Sequence, residues 1–376
     1  MKIIKLPFKV NKPILACGAD LKGAFALAKG NKAYLVKGFG DLSDPDNLRA
    51  YEASIGYHEK KLNIKPRVIA CDHHPGYFSS RSAEMHGLEL MIPDLYDIQH
   101  HEAHIASAII EYSINVDVIG VAFDGTGYGW DDCIWGGEFF VGKLKNFKRA
   151  AHFEYLPMPG GEMAIKEPWR MAVSYLYRAF GEDFLKLSIG IAKKIDKKRW
   201  PVMKKMLDGK INSPVTSSAG RLFDAAASLI LAKNSAAFEA ELPMELERVA
   251  AQHCDDCYKF DIGPENGVFV IGASRLIRCI VDDLCKKVDK GIISAKFHNT
   301  VAEIIAVTAS RLGRSSGLKK IVLSGGVFQN KYLVKRAELV LNRKNFHVYI
   351  HSNVDTNDHG IPIGQLAIAN VRGRCA

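Results

Sequence analysis

Short apolar runs broken by turn residues dominate the start of the chain. Residues 14–36 hold three such runs, separated by glycines and a Gly-Asn pair, which is typical of short strands joined by tight turns. The same succession returns at residues 118–129, 134–141 and 150–153. The pattern therefore predicts two separate strand meanders along the chain.

After each meander, apolar runs of strand length alternate with stretches of helical period. In the first segment, a buried-strand run at 67–72 precedes a helix-like stretch, a short strand that ends before His100, and a further helix. The second segment repeats this order as strand, helix, strand and final helix at residues 320–326, 333–341, 347–351 and 363–367. Two such units predict an α/β fold of two similar lobes facing each other across a cleft, with ligands bound at the strand ends that line it.

The two lobes are expected at residues 1–117 and 118–376. A chain of 376 residues exceeds the usual size of a single hydrophobic core, which supports the division. Helical period dominates from about residue 166 to residue 308, for example at 168–177 and 244–250. That region is predicted to be a largely helical insertion within the second lobe.

The composition is that of a soluble globular protein, with 48% hydrophobic and 24% charged residues. The opening residues lack an apolar run of signal-peptide length and no segment reaches membrane-spanning length, so we expect a cytoplasmic protein without a membrane partner. Eight scattered cysteines indicate reduced thiols. One C-x-x-C pair, Cys254 and Cys257, has no second pair to complete a structural zinc site.

The formal net charge of +10 indicates an anionic partner, which could be a nucleotide, RNA or an acidic protein. The densest basic run lies at residues 193–199. No aromatic side chains are interleaved with it for base stacking, so a solvated helix face is the better interpretation. A nucleic-acid partner is therefore not expected.

Two histidines one helical turn apart, His100 and His104, are the first candidates for chemistry. Imidazoles at positions i and i+4 leave a helix on the same face, so both can bind one metal ion. The zinc-protease motif needs glutamate directly after the first histidine, and His101 occupies that place. A metal site remains, but not that of a zinc protease.

Two aspartates are expected to complete this site from the second lobe. Asp124 follows a predicted strand, and Asp358 lies in the polar stretch 356–360. Two imidazoles and one or two carboxylates would bind Fe(II), Zn or Mn and leave a position open for substrate. The alternative is that each aspartate is a turn residue, since Asp before Gly favours turns.

A glycine-ended strand and a lysine are candidates for binding a phosphate. Gly325 and Gly326 end a strand before a helix, where a bare backbone can approach a nucleotide and helix N–H groups can bind anions. Lys22 lies in the first meander and could place a cation on a phosphate. The simpler alternatives are an ordinary turn and an exposed lysine.

A small-residue loop opens another predicted helix at residues 217–224. Gly220 could allow close approach of a nucleotide, Arg221 lies in the first turn, and Asp224 could bind ribose hydroxyls. A helix-capping motif explains the same residues equally well.

The motifs taken together resemble the C-terminal domain of the HypF carbamoyltransferases, which is related to the TsaD-like and O-carbamoyltransferase proteins. The matching stretches run in order along nearly the whole chain, at 18–22, 72–75, 99–104, 123–129, 135–138, 167–172, 217–224, 297–300, 323–330 and 357–358. A colinear set of this length is a specific signal.

The resemblance implies a two-lobed actin-like ATPase fold with a duplicated RNase H-like core. It also implies an ATP-derived carbamoyl-adenylate bound between the lobes, a divalent metal (Fe, Zn, Mn or Mg), and transfer of the carbamoyl group to a C-terminal cysteine of a HypE-like partner in hydrogenase maturation. Metal ligands by motif are His100, His104, Asp124 and Asp358, with His100, His104, Asp124 and Lys22 as catalytic groups. Nucleotide-site residues by motif are Gly220, Arg221, Asp224, Gly325, Gly326 and Asn330.

Departures from the family pattern leave other functions open. The given sequence shows no acylphosphatase-like, zinc-finger or YrdC-like segment, so we expect either one domain of a larger system or a separate YrdC-like partner that supplies the adenylate. Gly23, His359 and residues 238–241 differ from the family motifs, and His359 could be an extra ligand. The alternatives are a carbamoyltransferase acting on a small-molecule hydroxyl, a tRNA-modifying relative, and a nucleotide-binding scaffold without activity. Cys375 is a remote candidate for an internal acceptor.

Overall fold

The computed structural model of the chain describes residues 1–195 and 200–373. Residues 196–199 of the predicted basic run, and Cys375, lie outside the described residues. Within the described part, no helix is both long enough and apolar enough to cross a membrane.

The first sheet has six strands in the order β1-β4-β3-β2-β5-β6. Strands β2, β3 and β4 form the predicted antiparallel meander, and β5 and β6 add to it in parallel. The elements of this region are β1 (Lys2–Lys5), β2 (Ile14–Ala16), β3 (Ala24–Lys29), β4 (Lys32–Lys37), α1 (Pro45–Leu62), β5 (Val68–Asp72), α2 (Phe78–Glu89), β6 (Asp94–Ile98) and α3 (His100–Glu111). Strand β1 was not predicted, because its lysine-flanked isoleucines form an exposed edge strand rather than a buried run.

The second sheet repeats this arrangement. Its main path runs β12-β13-β9-β8-β7-β14-β15, with an antiparallel β7-β8-β9 meander and parallel β14 and β15. The elements on this path are β7 (Val118–Tyr128), β8 (Ile134–Gly142), β9 (Lys148–Phe153), β12 (Asp261–Glu265), β13 (Val268–Gly272), β14 (Lys320–Ser324) and β15 (His347–Ile350). The duplicated, two-lobed α/β fold predicted for the chain is thereby confirmed.

Helices dominate the region predicted to be an insertion, and a hairpin interrupts them. The hairpin joins β12 to β13 through Asn266 and Gly267, both with positive φ, and β13 pairs in parallel with β9. An Asn-Gly pair between apolar runs is a strong hairpin signal, and the prediction of helices missed it. The remaining elements are β10 (Leu156–Pro157), β11 (Val215–Thr216), α4 (Met163–Lys166), α5 (Trp169–Phe180), α6 (Gly190–Lys194), α7 (Trp200–Gly209), α8 (Ala219–Leu231), α9 (Glu241–Val249), α10 (Ser274–Cys285), α11 (Lys290–Ser316), α12 (Lys331–Arg343) and α13 (Ile361–Arg372).

Two helices are exchanged between the lobes. Helix α3 follows the first sheet in sequence, yet its apolar face packs against β7 and β14 of the second. Helix α13 ends the second segment, yet it packs against β2 and β5 of the first. The two helices cross so closely that a Cβ on Gly364 would lie 1.9 Å from the carbonyl oxygen of Ala103. The division at residues 117 and 118 stays a prediction, and this helix pair lies across it.

Candidate metal centre and nucleotide cleft

The metal-centre candidates begin at the first turn of α3. Strand β6 ends at Ile98, and Gln99 then caps the helix, its side-chain oxygen accepting the N–H groups of His101 at 2.7 Å and Glu102 at 2.9 Å. The cap starts the helix at His100, so His100 and His104 lie one turn apart and point the same way.

Four predicted ligands converge at this point: His100, His104, Asp124 and Asp358 each offer an atom, all within 4.8 Å of one another. The Nε2 atoms of His100 and His104 lie 3.2 and 3.3 Å from Asp124 Oδ2. From Asp358 Oδ1 the same two atoms are 4.0 and 3.7 Å away. Both imidazoles are buried, and the Asp358 side chain is only 12% exposed.

A fifth residue, Asp72, supports the site from behind. Its Oδ2 lies 2.7 Å from His100 Nδ1, and its Oδ1 accepts the N–H of His74 at 2.9 Å. A carboxylate on Nδ1 fixes the imidazole ring and leaves Nε2 free to bind a metal. Sequence analysis assigned Asp72 no role, although its position at the end of β5, beside the β6 end that precedes His100, is a usable signal.

The electrostatics of the cluster fit a bound cation. Burial disfavours a charge on His100, but Asp72 and Asp124 outweigh it and hold the pKa of His100 well above its ordinary value. Despite burial, the two imidazoles hold the pKa of Asp124 well below its ordinary value. Burial and the nearby Asp124 raise the pKa of Asp358. Two carboxylates crowded in a buried place with two imidazoles form a donor set suited to a divalent ion.

The glycines predicted to bind a nucleotide hold the protein's own backbone together. Gly326 N donates to Asp124 Oδ1 at 2.9 Å, and a Cβ on Gly326 would lie 2.8 Å from that oxygen. Gly325 has a φ of +103°, with its Cβ position 2.3 Å from the Phe123 carbonyl oxygen. A Cβ on Gly220 would lie 2.8 Å from Gly125 Cα. These glycines therefore position Asp124 and its turn, and their contact with a nucleotide stays a prediction.

A cleft of about 800 Å³ opens beside the metal-centre candidates. Its walls include the predicted residues Lys22, Asp124, Gly220, Arg221, Asp224, Gly326, Asn330 and Asp358. Leu21, Phe238 and Met244 also line it and are substantially exposed, so part of the lining is apolar. This volume lies in the range of small-molecule sites, and a mixed apolar and charged lining suits a nucleotide.

Two charged residues at the start of α8 contact each other. Arg221 Nε lies 2.8 Å from Asp224 Oδ2, and both side chains are almost fully buried. Burial raises the pKa of Asp224 to about 6. Glu239 lines the same cleft, and burial raises its pKa too. Sequence analysis had noted Glu239 only as part of a departing motif.

Asn330 is engaged within the protein. Its Oδ1 accepts the N–H of Leu333 at 2.8 Å, which caps α12, and its Nδ2 lies 2.9 Å from Nε2 of the buried His298. A nucleotide contact through this side chain stays a prediction. His359, proposed as an extra ligand, is outside the four-residue group, and its Nδ1 lies 4.0 Å from Asp355.

Family models match most of the chain in two parts. Residues 9–111 match the HypF Kae1-like domain, and residues 120–365 match the second subdomain of the carbamoyltransferase Kae1-like domain. The carbamoyltransferase HypF of Synechocystis is 32% identical, over 99% of this chain and 49% of its own length. A HypF homolog of Cupriavidus necator is 31% identical, over 95% of this chain and 91% of its own length.

Solved HypF structures are similar along the same extent. Full-length HypF in a phosphate- and nucleotide-bound form has a TM-score of 0.92 and 39% identity, covering 98% of this chain and 48% of that one. HypF of T. kodakarensis has a TM-score of 0.88 and 30% identity. This chain spans about half the length of the Synechocystis relative and of both solved proteins.

Proposed function

This chain belongs to the Kae1-like carbamoyltransferase family of HypF, and on that premise we propose that it transfers a carbamoyl group from carbamoyl-adenylate to a cysteine thiol. The acceptor is the C-terminal cysteine of a HypE-like partner, and the product serves cyanide-ligand synthesis during cytoplasmic maturation of NiFe hydrogenase. The observation that carries the proposal is the group of His100, His104, Asp124 and Asp358 at the edge of a nucleotide-sized cleft.

The cleft suits the donor. Its apolar lining residues Leu21, Phe238 and Met244 can contact a base, and Lys22 can supply the counter-charge that the phosphate of an adenylate needs. Asp124 and Asp358 line the same cleft, so the carbamoyl end of the donor would lie against the metal-centre candidates.

His100, His104, Asp124 and Asp358 would hold the divalent ion, which supplies Lewis-acid stabilisation of negative charge on the donor's oxygens. Asp72 keeps His100 in the tautomer with Nε2 free, through its 2.7 Å contact with Nδ1. Gly326 keeps Asp124 in place through its N–H. The protein thus positions the atoms that would bind the metal before the substrate binds.

The proposed transfer is an acyl substitution. The thiolate sulfur of the acceptor attacks the carbamoyl carbon, a carbon–sulfur bond forms, the bond from that carbon to the phosphate oxygen breaks, and AMP leaves. The thiol proton is lost to solvent before attack, since the thiolate is the nucleophile and a cysteine pKa is about 8.5. Lys22 stabilises the negative charge that grows on the departing phosphate.

The proposal includes a source of the carbamoyl donor. The family models that match this chain describe the Kae1-like domain. We propose that a separate YrdC-like protein forms the carbamoyl-adenylate.

Mass spectrometry of the acceptor tests the proposal. The chain is incubated with carbamoyl phosphate, ATP, a YrdC-like protein and HypE, and HypE is then weighed. A gain of one carbamoyl group that depends on this chain supports the assignment. An unchanged HypE with a carbamoylated small molecule or tRNA would instead identify another acceptor, and nucleotide binding without any transfer would identify a scaffold.

A further inference from the structure

A second cleft lies away from the carbamoyl site, where α11 ends near the start of β14 and the end of α12. It has a volume of about 540 Å³. Its lining combines small and apolar residues with four basic side chains. These basic residues are Arg311, Arg314, Lys319 and Lys344. No acidic residue is among the lining residues, and no acidic group of the described chain lies within 4.0 Å of these four cations.

The helix dipoles offset only part of this positive charge. Helices α11 and α12 both end here, and each carboxyl end carries about half a negative charge. Their sum of about one negative charge faces four cations, which leaves a surplus of about three. The last carbonyl groups are also engaged already, for example Leu341 O with Lys344 N and Phe346 N.

Two of the cations are held in place by aromatic rings. The Arg311 guanidinium lies over Phe269 and donates to the carbonyl oxygen of Ile262 at 3.1 Å. The Lys319 ammonium lies over the ring of Phe346, which lines the cleft. Preorganised cations lose little rotational freedom on binding an anion.

We propose that this cleft binds an oligophosphate, either free pyrophosphate or the triphosphate of a nucleotide. A charge of three or more negative units on a compact group matches the surplus of about three positive units. The cleft volume of about 540 Å³ is that of a small-ligand site. Phe346, the aromatic residue of its lining, is buried at 5% exposure, so no platform for stacking successive RNA bases is present among the lining residues.

Isothermal titration of pyrophosphate at low ionic strength tests the site. Replacing Arg314 and Lys344 together by alanine removes two cations without touching the core, since both are exposed. Because two charge-assisted contacts are lost, the affinity for pyrophosphate is expected to fall at least about tenfold. The matched control is the double replacement of Lys60 and Lys61, which lie in the last turn of α1. The control is expected to bind as tightly as the unchanged chain.

Titrating ATP and AMP separates the two sources of the phosphate. For each ligand, the affinity that the Arg314 and Lys344 variant loses relative to the unchanged chain measures binding at this cleft, because the first cleft is proposed to bind a nucleotide as well. A larger loss for ATP than for pyrophosphate indicates a nucleotide, a larger loss for pyrophosphate indicates the free anion, and AMP should show little loss. Equal pyrophosphate binding by the cleft variant and the control would overturn the proposal. Repeating the titration on His104→Ala keeps the test separate from carbamoyl transfer, because the two clefts share no lining residue.

Discussion

The metal-centre candidates and the glycine-rich wall of the nucleotide cleft are neighbours built on different principles. At the metal centre, His100, His104, Asp124 and Asp358 place unlike side chains within 4.8 Å of one another. The glycine-rich wall consists of Gly220 and Gly326, where the absence of a Cβ lets neighbouring segments approach closely. The missing side chains therefore matter more than any group these residues carry. Side-chain chemistry defines the first region, whereas steric room defines the second.

This difference shows that metal binding can depend on residues that are not themselves ligands. The wall contacts a metal-ligand candidate directly, because Gly326 N donates to Asp124 Oδ1. A change in the wall should therefore weaken the metal centre without removing a ligand. Variants of the metal centre and variants of the wall should therefore differ in the size of their effect and in the property that they change.

Loss of a ligand should have the largest effect. His104→Ala removes one of four donors, and we expect metal affinity to fall by more than about 100-fold, with carbamoyl transfer lost and the fold retained. Metal content is measured by plasma mass spectrometry, carbamoyl transfer by the mass of HypE, and the fold by circular dichroism. The matched control, His347→Ala on exposed β15, should change neither, and full transfer by His104→Ala would remove the metal from the mechanism.

Loss of a supporting carboxylate should come next. Asp72→Asn keeps the shape but weakens the contact that orients His100, so metal affinity is expected to fall about 10- to 100-fold. Asp94→Asn, at the start of the edge strand β6, is the control and should leave metal binding unchanged. If Asp72→Asn bound metal normally, Asp72 would only be filling space behind the ring.

The wall itself can be filled. Gly326→Ala places a methyl group 2.8 Å from Asp124 Oδ1, so Asp124 has to move. We expect a loss of about 1 to 3 kcal/mol in the free energy of unfolding, together with weaker metal binding. Gly263→Ala is the matched control, since nothing lies within 4 Å of its Cβ position. Unaltered metal binding in Gly326→Ala would disconnect the wall from the metal centre.

A pH-dependent contact holds α3 from its other end. Hydrogen bonds from His351 and the 352–354 backbone overcome burial and lower the pKa of Glu111 from 4.5 to about 2. Since the folded pKa is the lower one, the stabilisation is complete above about pH 4.5 and is lost as the pH falls toward 2.

Glu111→Gln should therefore reduce the free energy of unfolding by about 2 kcal/mol at pH 6, with the difference shrinking below pH 4.5. Urea unfolding at several pH values measures it. Exposed Glu52 on α1 provides the control as Glu52→Gln, expected to show no such difference. A difference constant with pH would mean that shape rather than charge matters at Glu111.

Relief of strain in the cleft should have the smallest effect. Ala240 has a φ of +62°, a conformation that favours glycine. Ala240→Gly should raise the free energy of unfolding by about 0.5 to 1 kcal/mol in chemical denaturation. Ala50→Gly, on exposed α1, should lower it by about 1 kcal/mol, and a fall in both would show that Ala240 is unstrained.

The sequence was most informative where pattern and chemistry are local. The two meanders follow from apolar runs broken by glycines, and the spacing of His100 and His104 requires only a helical turn. The role of Asp72 depends on β5 and β6 lying side by side, which no local pattern shows. The reasons for Gly220 and Gly325 likewise depend on contacts with distant backbone, whereas their predicted role is contact with a nucleotide.

The exchanged helices determine how the molecule can open. His100 and His104 lie on α3, and Asp358 lies three residues before α13. Three of the four candidate metal ligands are therefore positioned by one crossed helix pair, which contacts both sheets. If the two lobes move apart, this helix pair would be the pivot, and distances near a pivot change least. We therefore expect metal binding to be the same in an open and a closed form of the cleft, while the carbamoyl donor and the acceptor enter and leave it.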